Sequence, residues 1–298
     1  MTTHTIVFLI DIQNGFANDG LTPAQGGSLY VPGGEKVGEP AANLLRNLSN
    51  ATVVLSQDFH PADHISFASN HAGAAPFSNI NLKRGDDGQY KVTEGTTEGT
   101  VLQTLWLDHC KQGTESTLFV DPIMGELPAG LRQEVQQHIP SAVLASTDDR
   151  GNNFYVIRKG THSDLDSYGI ATENDSITTT AAPPTFALIA DNLQSAGVKD
   201  VNIHIGGLAT NFCVAFSHND VYKYLLPELE ARGIKAQVHL LTDISAGIPD
   251  AFVPPGFEVS TALNKMAALG TKQTTTDDVI RSTLTGRALG SRALRPDA

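Results

Sequence analysis

The sequence predicts an α/β fold: a doubly wound, mainly parallel sheet with helices on both faces. Three observations predict it. Several short runs are continuously apolar and β-branched instead of alternating, the pattern of strands buried on both faces. Helical patterns lie between these runs, so strands and helices alternate along the chain. Glycines follow several of the helical patterns, where a left-handed residue ends a helix at little cost.

Thr5–Ile10 is the first predicted strand, and Ala51–Leu55, Tyr155–Ile157, Val201–Ile205 and Ala236–Leu241 are of the same kind. Ala41–Leu48 reads as a helix. Phe186–Ala196 stops at Gly197, Val214–Arg232 runs to Gly233 with a break expected at Pro227, and Val259–Leu269 stops at Gly270. No internal repeat or linker interrupts this order, so residues 1–298 read as one domain. Two stretches read as insertions. Residues 71–104 are rich in Gly, Asn and Thr, and residues 118–151 hold a short helical pattern at Leu131–His138. Long irregular segments of this kind are often lids or surface embellishment. After about Arg281 the chain is polar and is expected to fray.

A chain of 298 residues can bury a core without disulfides or structural metals. Its formal net charge of -12 repels nucleic acid and anionic membranes, so neither is an expected partner. No run approaches the ~18 apolar residues of a membrane span. The start passes into an apolar run with no basic region before it and does not read as a signal peptide. Two cysteines make no disulfide framework, and a reducing cytoplasm is the expected location. The composition leaves a homo-oligomer open.

In an open α/β sheet, ligands bind beyond the carboxyl ends of the strands. The first strand ends in Asp11, the second near Asp58, and Tyr155–Ile157 runs into Arg158 and Lys159. Val201–Ile205 leads through Gly206-Gly207-Leu208-Ala209-Thr210-Asn211-Phe212 to Cys213 and then a helix. Each charged residue alone reads most simply as the first solvated position; their agreement on one edge is the informative part. Cys213 is either inert core, since cysteine is among the most buried residues, or a reactive thiol. At a helix start, unpaired N–H groups and the helix dipole favour the thiolate. The same N–H groups suit an oxyanion. Asp11 would then be a base for the thiol proton and Lys159 a stabilising cation.

A second constellation is Asp58-Phe59-His60-Pro61-Ala62-Asp63-His64, with Asp108-His109-Cys110 far downstream. Asp and His suit zinc, manganese or iron. Asp-x-His at a strand end points both side chains the same way. A third ligand from another loop would leave positions open for water or substrate. With ten histidines in the chain, chance spacing is the competing explanation. His64 reads as a fourth ligand or as a loop-stabilising residue.

These residues resemble the nicotinamidase branch of the isochorismatase-like cysteine hydrolases. Asp11-Ile12-Gln13-Asn14-Gly15-Phe16 resembles the family's opening motif, and Asp58 to Phe67 its metal loop. Leu105 to Thr114 resembles the Trp-Pro-x-His-Cys segment, with Leu107 in place of proline. Arg158-Lys159-Gly160-Thr161 followed by Asp164-Leu165-Asp166-Ser167-Tyr168 resembles the lysine segment, with Gly169-Ile170-Ala171 where the family often has Ser-Ala-Phe. Gly207 to Val214 resembles the nucleophile turn, and Thr242-Asp243 with Ala246-Gly247 a later strand end.

The resemblance implies a catalytic triad of Asp11, Lys159 and Cys213, and a divalent metal, zinc before iron or manganese, held by Asp58, His60 and His109. It implies that Phe16, Trp106 and Tyr168 line a slot for a flat ring. It also implies a cis peptide bond between Leu208 and Ala209, aiming the Ala209 and Cys213 N–H groups at an oxyanion. The implied activity is hydrolysis of nicotinamide to nicotinate and ammonia through a thioester, within NAD salvage. The alternative is another small heteroaromatic or carbamoyl amide on the same fold. Two further readings compete with it: a metal-activated water as nucleophile, and a non-catalytic thiol pair of Cys110 and Cys213.

Overall fold

The computed structural model describes residues 3–283. Strand β1 (His4–Ile10) leads through the single turn α1 (Asn14–Ala17) and helix α2 (Gly38–Asn47) to β2 (Thr52–Asp58). Next come β3 (Asn79–Arg84), β4 (Tyr90–Thr93) and β5 (Thr100–Thr104). Helices α3 (Asp121–Glu126) and α4 (Ala129–Gln136) precede β6 (Val143–Thr147) and β7 (Asn153–Lys159). The second half runs α5 (Ala182–Ser195), β8 (Asp200–Gly207), α6 (Ala215–Asp220), α7 (Leu226–Ala231), β9 (Lys235–Leu241), α8 (Val259–Ala268) and β10 (Lys272–Thr274).

Seven strands form one sheet in the order β10-β9-β8-β1-β2-β7-β6. Every neighbouring pair is parallel except β6–β7. The mainly parallel sheet follows from the apolar runs: all seven residues of β2 and the last five of β1 are buried. From β1 the chain moves one way to β2, and from β7 it crosses back to β8 on the other flank of β1. Right-handed crossovers in opposite directions put α2 on one face and α5 on the other. Phe8 of β1 meets Phe186 of α5 edge-on at 5.8 Å, both fully buried. The strand order reverses beside β1, which places a crevice at the carboxyl ends of β1, β2, β7 and β8.

Both predicted insertions carry structure of their own. Within residues 71–104, β3, β4 and β5 form a separate antiparallel sheet in the order β4-β3-β5. Leu82, Tyr90 and Leu165 make its small core. These strands read as loop in the sequence because their apolar residues alternate with Asn, Lys and Thr on an exposed face. The 118–151 stretch ends in β6, which completes the edge of the main sheet. As a short edge strand with only Leu144 buried, it carries no continuous apolar run.

The helix predicted over Val214–Arg232 is continuous but widens into π-helical turns at Thr210–Val214 and Val221–Leu225. The second π turn stands just before Pro227, in the first turn of α7. There the ring has no N–H to donate and crowds the preceding turn. The polar tail expected after about Arg281 lies, from residue 284 on, outside the described residues. Among the described residues, no helix is long and apolar enough to cross a membrane.

His204 of β8 and His239 of β9 are register partners, and their rings stack at 5.0 Å. Burial, reinforced by His239, pushes the His204 imidazole down from 6.5 to about 3. Between those values the unfolded chain holds a proton that the folded chain does not. Folding is therefore unopposed by His204 above pH 6.5, and stability is lost as pH falls towards 3. Burial lowers His4 and His218 to about 4, in the same direction. The urea midpoint is expected to decline on acidification below about pH 6.5, and to decline less steeply in His204→Gln. Parallel pH profiles for the two proteins would remove His204 from this account.

Candidate active site

Four strand ends bring four side chains to one place. Asp11 follows β1 directly, Asp58 and Lys159 are the last residues of β2 and β7, and Cys213 lies in the π turn after β8. The Asp11 backbone is left-handed, with φ of 48°, which turns the chain sharply as it leaves the strand. Lys159 Nζ sits at the centre. It lies 2.6 Å from Asp58 Oδ1, 2.9 Å from Asp11 Oδ2 and 3.5 Å from Cys213 Sγ, and it donates to the Ser167 carbonyl at 2.9 Å. Ser56 Oγ donates to Asp11 Oδ1 at 2.6 Å. Asp11 Oδ2 is buried and accepts no hydrogen bond of good geometry among the described residues, despite its closeness to Nζ. An Asp11 carboxylate oxygen lies within 4.8 Å of Cys213 Sγ, so the proton of the thiol has only a short way to go.

Burial decides the charges here. It pushes the Asp11 carboxyl up to about 6, against the pull of Lys159. Burial also opposes ionisation of Asp58, but the ammonium of Lys159 and the nearby His60 and His109 overcome it and hold that carboxyl far down. Burial disfavours charge on Lys159 too, yet the carboxylates of Asp11 and Asp58 raise it well above its ordinary value. The Cys213 thiol goes well above its ordinary value, with burial the largest cause and Lys159 only partly opposing it. The thiolate expected from the helix start is therefore not the resting form: desolvation outweighs the local dipole. At neutral pH the resting arrangement is a protonated thiol beside an ionised carboxylate, the starting state for proton transfer from Cys213 to Asp11.

Next to this cluster, one atom each from Asp58, His60 and His109 lie within 4.8 Å of one another, all three residues buried. His60 Nδ1 is 2.9 Å from the Gly160 carbonyl and His109 Nδ1 is 2.7 Å from the Leu107 carbonyl. A carbonyl only accepts, so each ring donates from Nδ1 and turns Nε2 towards Asp58; burial opposes charge on His60, but the Asp58 carboxylate outweighs it and raises the ring, so binding a cation there displaces a proton. Gly160 must be glycine: its φ is +60° and a Cβ would lie 2.3 Å from His60 Cε1. Leu107 replaces a proline of the family motif but keeps the carbonyl that orients His109. His64 Nε2 is buried without a partner among the described residues, and Ser66 holds the other nitrogen at 2.7 Å. Burial lowers His109 to about 4 and His64 well below its ordinary value, so both are neutral, as metal binding requires. These donors fit a divalent cation.

A narrow, partly open pocket joins the two clusters. Phe16, Trp106 and Tyr168 line it, as do Ala209 and Cys213. Trp106 and Phe212 meet edge-on at 5.1 Å, and Tyr168 and Phe212 at 5.4 Å. The peptide bond between Leu208 and Ala209 is cis, and the Ala209 N–H has no acceptor among the described residues.

No protein-family profile matches the chain. It is 35% identical over 217 residues to the nicotinamidase of Acinetobacter baylyi, covering 73% of this chain and 74% of that one. The chain belongs to the nicotinamidase family. The solved nicotinamidase pyrazinamidase of Acinetobacter baumanii superposes with a TM-score of 0.60 and 26% identity, over 93% of this chain and 99% of that one. The pyrazinamidase of Pyrococcus horikoshii, solved in complex with zinc, shares the fold at a TM-score of 0.50 and 22% identity, over 91% and 99%.

Beyond the residues expected of a nicotinamidase, the cavity is also lined by Leu29, Asp166, Phe212 and Ile248. Asp166 and Phe212 stand inside quoted motifs, so a period-two count from Tyr168 or proximity to Cys213 could have flagged them. Leu29 and Ile248 lie in loops with no sequence signal. Gln13, inside the opening motif, locks the ends of β1 and β2 together: its amide donates to the carbonyls of Asp58 and Thr117, and its Oε1 accepts the Asp58 N–H. The departure at Gly169 has a steric reason. A Cβ on Gly169 would lie 2.2 Å from Asp220 Oδ2. Asp220 of α6 accepts the N–H groups of Ala171 and Thr172 and the Thr172 hydroxyl, strapping down the loop that carries Tyr168.

Proposed function

We propose that this protein is a metal-dependent cysteine amidohydrolase that converts nicotinamide to nicotinate and ammonia. One observation carries the reading. A thiol with its own base and cation opens into an aromatic slot whose other side presents two imidazole Nε2 atoms and a carboxylate. Family membership supports the same activity, because the Acinetobacter baylyi relative is a nicotinamidase.

Asp11 takes the proton of Cys213, and the thiolate attacks the amide carbon. The N–H groups of Ala209 and Cys213 receive the oxyanion. Asp11 returns the proton to the departing ammonia, then deprotonates the water that cleaves the thioester. Lys159 keeps Asp11 ionised at neutral pH and faces the sulfur while it is charged. Phe16, Trp106, Tyr168 and Phe212 hold a flat ring. A divalent cation, zinc in our reading, held by Asp58, His60 and His109 with His64 beside them, would take the ring nitrogen and fix the direction of the carboxamide, an orientation effect that can contribute several kcal/mol. The Pyrococcus horikoshii relative, solved with zinc, and the Asp/His donor set both favour that ion. The two unpaired thiols, both buried, fit a reducing cytoplasmic setting.

The test is ammonia release from nicotinamide and from benzamide, which lacks the ring nitrogen, alongside metal content by mass spectrometry. Nicotinamide is expected to turn over far faster than benzamide. Metal is expected to co-purify with the parent and to be lost in His109→Ala. Equal rates on both amides, or no release from nicotinamide by metal-loaded protein, would falsify the assignment.

A further inference from the structure

One side chain closes the loop over residues 248–257. Asn211 Oδ1 accepts the Ile248 N–H at 3.0 Å, and its amide nitrogen donates to the carbonyls of Ile248 at 3.0 Å and Phe257 at 2.8 Å. Asn211 is buried, whereas Pro249, Asp250, Ala251 and Phe252 between the tied ends are exposed. A surface loop with its ends held together and its middle in solvent is an Ω-loop, a type often used functionally. Ile248, at one tied end, lines the cavity. Phe252, at the tip, meets Phe77 at 5.4 Å, and Phe77 meets Trp106 edge-on at 6.0 Å. The loop therefore starts in one wall of the cavity and rests against the ring that backs another.

We propose that Asn211 is a positioning residue that sets the width of the substrate slot through this loop, making Ile248 the wall that selects an unsubstituted six-membered ring amide over a ring-alkylated one. The substrate class rests on the nicotinamidase reading; the lid itself does not. Chemistry selects the residue type. The site asks for one acceptor and two donors, which an amide supplies. A carboxylate of the same shape has no donor and would set its charge against two carbonyl oxygens. Asn211 also shares the π turn Thr210–Val214 with Cys213, so one short segment holds both the nucleophile and the lid.

The experiment uses Asn211→Asp and Phe252→Ala, the latter outside the cavity lining. Alkylation of Cys213 by iodoacetamide and by a bulky N-aryl maleimide is followed by peptide mapping, which separates it from Cys110. In parallel, kcat and KM are measured for nicotinamide and a ring-alkylated nicotinamide. In Asn211→Asp the maleimide-to-iodoacetamide rate ratio at Cys213 is expected to rise about tenfold, as two donated hydrogen bonds are lost. Phe252→Ala is expected to raise it less. KM for nicotinamide is expected to rise more than kcat falls, and the alkylated ring to gain relative to the plain one. An unchanged labelling ratio in both variants overturns the proposal. If Asn211→Asp does not fold, Phe252→Ala decides alone. If the parent releases no ammonia from nicotinamide, the functional reading fails while the labelling ratio still tests the lid.

Discussion

Cys213→Ala is expected to lower ammonia release from nicotinamide by about 10⁴-fold or more, with the fold retained. The size follows from the resting state. The thiol is protonated and buried, so turnover depends on transfer to Asp11 followed by attack, and alanine removes both the proton and the nucleophile. What remains is the orienting power of the slot and the oxyanion donors, with only water to attack. The loss of one sulfur at a 6% exposed position leaves the surrounding Ala209, Phe212 and Val214 packing in place. The urea midpoint should therefore move little. Cys213→Ser sharpens the test, because a hydroxyl is a far weaker acid than a thiol and a carboxyl near 6 is a poor base for it. If water on the metal were the nucleophile instead, the serine variant would keep most of its rate. Substantial turnover in either variant removes Cys213 from the mechanism.

Lys159→Met is expected to lose both activity and stability. The ammonium is fully buried between Asp11 and Asp58, and it is the cation that lets both remain ionised. Methionine fills most of the same volume but leaves two buried carboxylates facing each other. Breaking a buried pair in this way costs about 3–5 kcal/mol, a large share of a typical total stability of about 5–15 kcal/mol. Without Lys159 the Asp11 carboxyl rises above its present value of about 6, so a larger fraction is protonated at neutral pH and cannot act as base. Residual activity should accordingly recover as pH is raised, with the acid limb of the rate profile displaced upward relative to the parent. A urea midpoint and a pH profile both matching the parent would show that Lys159 has neither role.

The residues at the candidate site were legible to different degrees. Asp11, Asp58, Lys159 and Cys213 could be named because each ends a strand or follows one, and a parallel sheet exposes those ends on one edge. His60 and His109 could be named from their neighbours in short motifs. Leu29 and Ile248 could not. Each sits in an irregular loop, and its place in the cavity depends on distant contacts, such as the Asn211 amide that ties residue 248 to residue 257. The sheet of β3, β4 and β5 was hidden for a related reason. Its inward residues, Leu82 and Tyr90, find their core only against Leu165, about 80 positions away.

By itself, the sequence determined the α/β alternation, the central strands and the short motifs that carry the thiol, its neighbours and the candidate metal ligands. These are local properties: periodicity, strand-end position and spacing within a few residues. Only the tertiary structure decided whether Cys213 rests as a neutral thiol or a thiolate. Locally, a helix start favours the thiolate. Burial reverses that preference, because desolvation depends on whatever packs around the sulfur, most of it distant in the chain. A protonated thiol calls for a base, and in the mechanism proposed above Asp11 fills that place, which only the side-by-side strands bring to it.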